Sequence, residues 1–287
     1  MLMQSLVSTN WLENHLGSPD LVILDASLHL PMAARDPRQE YAETRIPGAR
    51  FLNLRSLTNR YSDVPAALPT RAQFDARMGA LGVSPASRII IYDNSDLRTA
   101  ARAWFIFRLF GVKEFAILDG GLQKWLAESR PIASGLDESS PPSAFSSSGG
   151  TGSISYKQDM LANLATQENK VVDARDARRF RGDGADFRPD VASGHIPKSS
   201  NLPYDAVLAA DGTFLPSDQL RSVFAEAGIA FERPVITTCG GGVTACVLLF
   251  AMDLIGQDGT LYDGSWSEWG ADPTLAVETG PASGDGA

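Results

Sequence analysis

The chain has 287 residues, enough for two domains of ordinary size, and its 44% hydrophobic and 21% charged residues supply ample material for globular cores. Its 34 Asp+Glu outnumber 25 Lys+Arg for a net charge of −9, which argues against a general nucleic-acid or anionic-membrane binder, since both need a basic surface. No apolar run reaches the about 20 residues of a membrane span, Met1 to Asn10 lacks a secretory start, and two cysteines with three scattered histidines form neither a disulfide framework nor a zinc site, so a cytoplasmic protein without a metal is expected.

In chain order, 22–24 reads as a buried strand, 71–81 as an amphipathic helix, 89–92 as a strand, 99–110 as a helix and 115–118 as a strand. Alternation of this kind predicts an α/β fold, a mainly parallel sheet flanked by helices. The pattern then recurs. Leu24-Asp25-Ala26 is matched by Val172-Asp173-Ala174, and Ile46-Pro47 by Ile196-Pro197. Leu68-Pro69-Thr70 is matched by Leu215-Pro216-Ser217, Tyr92-Asp93 by Thr238-Cys239, and Asp119-Gly120 by Asp263-Gly264. The five landmarks keep their order at offsets of 144 to 150 residues, which marks a tandem duplication. Between the copies, 131–153 holds Pro141-Pro142, Ser146-Ser147-Ser148 and Gly149-Gly150 and reads as a flexible linker. The expected organisation is therefore a first domain over 1–130, the linker, and a second domain over 154–279, with 280–287 a frayed tail.

Ligands of such sheets bind in the loops after the strand carboxyl ends, here after Tyr92 and after Thr238. The second of these is Cys239-Gly240-Gly241-Gly242-Val243-Thr244, opening a helix expected to begin near Val243. Glycines let several backbone N–H groups turn inward, and the helix start adds its unpaired donors, an arrangement that favours a thiolate or an anion at the sulfur. Cys239 is thus the candidate nucleophile. Cys246 falls within 245–254, apolar nearly all round, and reads as structural.

With these motifs, and with Ile46-Pro47-Gly48-Ala49, Leu118-Asp119-Gly120-Gly121 and Asp263-Gly264-Ser265-Trp266-Ser267-Glu268-Trp269, the chain resembles the two-domain rhodanese-like sulfurtransferases, among them the thiosulfate and 3-mercaptopyruvate enzymes. The resemblance runs from about Ser8 to Pro273. It implies tandem rhodanese-like domains of which only the second is catalytic, with Asp93 in the first copy where Cys239 stands in the second. It also implies a sulfane sulfur moved from a small anionic donor through a Cys239 persulfide to a thiol (thioredoxin among the candidates) or cyanide, with no organic cofactor. The segment 173–190 carries five arginines and five aspartates. Arg179 and Arg188 match the positions that grip the donor's anionic group, whereas Arg178 and Arg181 read as self-paired surface charges and Arg175 as an internal tie. His195 matches a turn position whose ring satisfies backbone groups. The N–H groups of Gly240, Gly241, Gly242, Val243 and Thr244 are the expected cradle for the thiolate and persulfide.

Departures from the family pattern bear on the donor. Mercaptopyruvate enzymes usually carry Ser two residues after the nucleophile and thiosulfate enzymes Arg-Lys directly after it; here both positions are glycine. The Asp and His that usually accompany that Ser fall on Arg55 and Ala66, and the loop after Asp93 is about two residues short and has Asp96-Leu97-Arg98 in place of a Tyr. Without the basic pair, 3-mercaptopyruvate is favoured over thiosulfate. Two alternatives remain from the residues: a persulfide carrier that does not turn over, and a cysteine phosphatase or arsenate reductase. The latter needs Cys-x5-Arg, and Ala245 stands at the Arg position.

Overall fold

The structure is a computed structural model that describes residues 3–135 and 141–282. It divides into two compact units. One is built from the chain up to Asn59, Leu68–Gly152 and Ala210–Phe214; the other comprises Arg60–Ala67, Ser153–Ala209 and the chain from Leu215 onward. The short segments 60–67 and 210–214 are the same loop of the repeat. Each follows a single 3-10 turn, Leu54–Ser56 in the first copy and Tyr204–Val207 in the second. Each unit therefore contains one loop from the other copy, which a single cut in the sequence does not anticipate.

The first unit runs β1 (Leu6–Val7), α1 (Thr9–His15), β2 (Leu21–Asp25), α2 (Pro37–Glu43), β3 (Ala49–Phe51), α3 (Arg71–Ala80), β4 (Arg88–Tyr92), α4 (Ala100–Leu109), β5 (Phe115–Leu118) and α5 (Gly121–Ala127). Its five described strands form one parallel sheet in the order β1-β5-β4-β2-β3. The strand runs are continuous rather than alternating because helices cover both faces, so Ile89, Ile90, Ile91 and Tyr92 are all buried. Thr70 and Gln73 close a capping box at the start of α3. Helix α4 is buried from Ala100 to Phe107 and is apolar nearly all round for the same reason.

The second unit repeats the plan: β6 (Ser153–Ser155), α6 (Lys157–Thr166), β7 (Lys170–Asp173), α7 (Ala177–Arg181), β8 (Ser200–Asn201), α8 (Ser217–Glu226), β9 (Val235–Thr238), α9 (Ala245–Leu254), β10 (Thr260–Tyr262) and α10 (Ser265–Trp269). The described strands are again parallel, in the order β6-β10-β9-β7-β8. An isolated antiparallel bridge also recurs, Arg45 to Ala133 in the first copy and His195 to Glu278 in the second. Both units place their central strand, β4 or β9, so that the next residue emerges at the carboxyl edge of the sheet, as Asp93 or Cys239.

Two expectations shift. Helix α9 begins at Ala245 rather than near Val243, because Gly242 holds φ +74°, outside the helical region, and Thr244 becomes the cap residue. The expected flexible linker is, over 141–152, laid against the first unit. Ser143 N–H donates to Gly79 O (3.0 Å), Ser147 N–H to Asp75 Oδ1 (3.0 Å) and Gly150 N–H to Leu109 O (3.0 Å), while Phe145 packs edge-on to Phe74 at 5.8 Å. It lacks its own periodicity because its N–H groups donate to acceptors on α3 and α4. Linker residues 136–140 and tail residues 283–287 lie outside the described residues; Gly280 N–H is tied to Arg181 O at 2.8 Å. No helix among the described residues is long and apolar enough to cross a membrane.

Candidate active site

Strand β9 hands the chain to Cys239, whose residue is only 1% exposed. One side of the following loop is pinned by α10. Cys239 N–H donates to Ser265 Oγ (3.2 Å), Cys239 O accepts Trp266 N–H (3.0 Å), and Gly240 O accepts Ser267 N–H (2.8 Å). Ser265 holds a left-handed φ of +50°, rare for a residue with a Cβ, and its hydroxyl donates to Tyr262 O (2.9 Å). The other side of the loop is left open: Gly240, Gly241, Val243 and Thr244 give their N–H groups to no acceptor among the described residues. The loop therefore presents donors without a protein acceptor beside a buried sulfur, at the positive end of a ten-residue helix. The Cys246 thiol, fully buried, donates to Gly242 O at 3.2 Å and packs inside α9, as expected of a structural residue.

The two arginines converge on Gly240. Arg179 is presented by α7, whose start is capped by the Asp176 side chain accepting Arg179 N–H (2.9 Å). Its Nη2 lies 3.2 Å from where a Cβ on Gly240 would stand, and 3.5 Å from Asp186 Oδ2. Both Nε and Nη2 of Arg179 are buried without a hydrogen-bond partner. Arg188 forks onto Asp186, Nε to Oδ1 (2.8 Å) and Nη2 to Oδ2 (3.1 Å), and points Nη1 at Ser267 Oγ (2.5 Å) and Gly240 O (3.3 Å). Both guanidinium groups lie over the Phe187 ring, 5.2 and 4.9 Å from its centre. Burial works to raise the Asp186 carboxyl, but the Arg188 fork, a backbone N–H and the Arg179 charge outweigh it and hold the group below the usual carboxylate range.

The remaining charges of this segment are internal. Arg175 and Asp173 form a buried forked pair (Nη2 to Oδ2, 2.6 Å), with Arg175 also donating to Gly194 O (2.8 Å) and stacking over Trp266. Arg181 pairs with Asp183 (2.7 Å) and Arg178 donates to Asp183 O (3.1 Å). His195 donates Nδ1–H to Phe180 O (2.8 Å) and stacks on that ring at 3.7 Å; burial lowers its pKa below the ordinary imidazole value. Asp186, Ser265 and Ser267 were not singled out from sequence. The two serines lie in the Asp263-Gly264-Ser265-Trp266-Ser267-Glu268-Trp269 motif, but nothing in the pattern distinguishes a loop-pinning hydroxyl from a helix cap.

The first copy differs at the equivalent place. Asp93 turns its carboxylate back into its own loop, accepting Ser95 N–H and Ala100 N–H, each at 2.8 Å. Burial raises this carboxyl above its ordinary value. Arg55 donates to His29 O (2.8 Å), and Ala66 sits at φ +58° in a segment belonging to the second unit. Neither supplies an acid or base side chain at the positions where the family pattern has Asp and His.

Comparison with known proteins agrees with this geometry. The family described as Rhodanese-like domain matches residues 8–128 and 157–272. The chain is 38% identical over 275 residues to 3-mercaptopyruvate sulfurtransferase of Rattus norvegicus, covering 93% of this chain and 92% of the relative. It is 35% identical over 280 residues to thiosulfate sulfurtransferase of Cricetulus griseus, covering 94% and 93%. Among solved structures, SseA from Escherichia coli, described as a 3-mercaptopyruvate sulfotransferase of rhodanese fold, superposes with a TM-score of 0.82 at 33% identity over 93% of this chain and all of the other. This chain belongs to the rhodanese-like domain family, as a two-domain sulfurtransferase.

Proposed function

We propose that the sulfurtransferase works by double displacement on Cys239, with 3-mercaptopyruvate preferred to thiosulfate as donor. The Cys239 thiolate attacks the donor's transferable sulfur. The bond from that sulfur to the rest of the donor breaks, and its electron pair leaves with the departing fragment: the pyruvate enolate, which takes up a proton, or sulfite. Cys239 then carries a persulfide. A thiol, a small molecule or a protein such as a thioredoxin, or cyanide attacks the outer sulfur and restores the thiolate.

The observation that carries this reading is the pair of buried donors on Arg179 beside Gly240, Nε and Nη2, that make no hydrogen bond, with only the ion pair of Nη2 to Asp186 at 3.5 Å. Buried N–H groups are expensive to leave unpaired, and a carboxylate or sulfonate on the donor would complete them in the planar geometry a guanidinium favours. Arg188 adds a second charge, and the free N–H groups of Gly240, Gly241, Val243 and Thr244, with that of Gly242 in the same turn, stabilise thiolate and persulfide. Preference for the keto acid is supported by the two glycines after Cys239, which bring no extra positive charge for a compact dianion, and by the higher identity to the rat relative. A domain plan of non-catalytic 1–130, linker 131–153 and catalytic 154–279 fits this division of labour, and a free catalytic thiol fits a reducing, cytoplasmic setting. The test is kcat/KM for the two donors measured side by side with one acceptor. The reading predicts a larger value for 3-mercaptopyruvate; a larger value for thiosulfate overturns the donor assignment, and turnover of neither overturns the enzyme reading.

A further inference from the structure

Gly240 O takes its two short hydrogen bonds from Ser267. Its N–H donates at 2.8 Å and its hydroxyl at 2.5 Å. The same hydroxyl accepts Arg188 Nη1 at 2.5 Å, whereas the direct contact of Nη1 to Gly240 O is stretched to 3.3 Å. The strong link between Arg188 and the cysteine loop therefore runs through the Ser267 hydroxyl. With Asp186 holding Nε and Nη2 from the opposite side, the guanidinium is fixed at both ends, and one N–H on Nη2 remains for a ligand. Ser267 itself is held firmly. Trp266 and Trp269, both buried, fix α10, and their indole N–H groups donate to Ala192 O and Ala276 O, each at 2.9 Å.

We propose that Ser267 is a positioning residue for sulfur transfer, whose hydroxyl locks the Arg188 guanidinium to the carbonyl of the residue after the nucleophile and so sets where the donor's anionic group sits relative to Cys239. The inference rests on the reading of Arg188 as a donor contact. Without the hydroxyl, Nη1 loses its short bond and the guanidinium swings on Asp186, which weakens donor binding and leaves the sulfur chemistry alone.

The experiment is a double-mutant cycle on the full chain with Ser267→Ala and Arg188→Ala, reading KM and kcat for 3-mercaptopyruvate and for thiosulfate, with Ser267→Thr as the variant that keeps a hydroxyl. Loss of a hydrogen bond to a charged group predicts that Ser267→Ala raises KM about tenfold with kcat little changed. It also predicts that Ser267→Thr recovers most of this, and that Ser267→Ala costs less than about twofold in the Arg188→Ala background. Equal costs in the two backgrounds, or a fall in kcat at unchanged KM, overturn the positioning role while leaving the donor grip intact. If Arg188→Ala alone leaves KM unchanged for both donors, the donor grip falls and the role of Ser267 falls with it. If Ser267→Ala fails to fold, the Ser267→Thr variant decides: a KM like that of Arg188→Ala overturns the proposal, and one like wild type upholds it.

Discussion

Arg179 has Nε and Nη2 buried with no hydrogen-bond partner, Nη2 standing 3.5 Å from Asp186 Oδ2, beside a loop in which the N–H groups of Gly240, Gly241, Val243 and Thr244 find no acceptor among the described residues. Arg179→Ala is predicted to cut kcat/KM about tenfold or more for either donor, since a charge-assisted hydrogen bond contributes roughly 1.5–3 kcal/mol. Arg179→Lys should recover little, because an ammonium cannot offer two parallel N–H groups. Steady-state kinetics with both donors check this, and a wild-type kcat/KM in Arg179→Ala would contradict it. Cys246→Ser is predicted to keep most of the rate, because a hydroxyl preserves the donor to Gly242 O. At this scale the bringing together of the Cys239 loop with Arg179 and Arg188 was legible, since a cysteine before three glycines and arginines among aspartates are compositional signals. Asp186, Ser265 and Ser267 were not, because they act through hydrogen bonds to groups distant in the chain or local to a turn, which leave no mark in spacing.

The ends of equivalent strands have diverged in how they manage charge. At the end of β7, Asp173 is clamped by Arg175; at the end of β2 the corresponding positions are Asp25 and Ser27, and Asp25 accepts Ser27 N–H at 2.9 Å. Burial pushes the Asp25 carboxyl up to about 6 from 3.8. At the end of β5, burial likewise pushes Asp119 up to about 6, although Phe214 N–H donates to it. A raised carboxyl pKa means that the folded state holds a proton the unfolded state has released, so stability falls as the pH rises from the unfolded value of 3.8 through about 6. Asp25→Asn removes one of these groups. Relative to wild type, its Tm is predicted to improve on going from about pH 4 to about pH 7, and parallel Tm curves would contradict the assignment. In the first-copy loop, Asp93→Ala strips the acceptor from Ser95 and Ala100 N–H and is predicted to cost about 1–3 kcal/mol of stability in denaturant unfolding. The same variant should change kcat/KM less than about tenfold, a shift of 1.4 kcal/mol. A thousandfold loss in folded protein would bring the first copy into the chemistry.

Over the whole molecule, one duplicated plan carries two kinds of loop at the same strand end. The first copy fills its cradle with the Asp93 carboxylate; in the second, the N–H groups of Gly240, Gly241, Val243 and Thr244 find no acceptor among the described residues beside Cys239. Parallel α/β architecture and duplication were legible because buried parallel strands give continuous apolar runs whose offsets survive divergence, as with Ile89–Tyr92 against Val235–Thr238. Two features were not. The placing of 60–67 and 210–214 depends on contacts that no local pattern encodes, and 141–152 packs by lending hydrogen bonds to α3 and α4 rather than by apolar periodicity. The central claim, that Cys239 carries the moving sulfur, is tested most directly by peptide mass analysis of the full chain after incubation with 3-mercaptopyruvate and removal of the excess. The account predicts a mass gain of one sulfur atom on the peptide containing Cys239, absent in Cys239→Ser and discharged by a thiol or cyanide. An added sulfur on the Cys246 side chain, or steady turnover by Cys239→Ser, would contradict it.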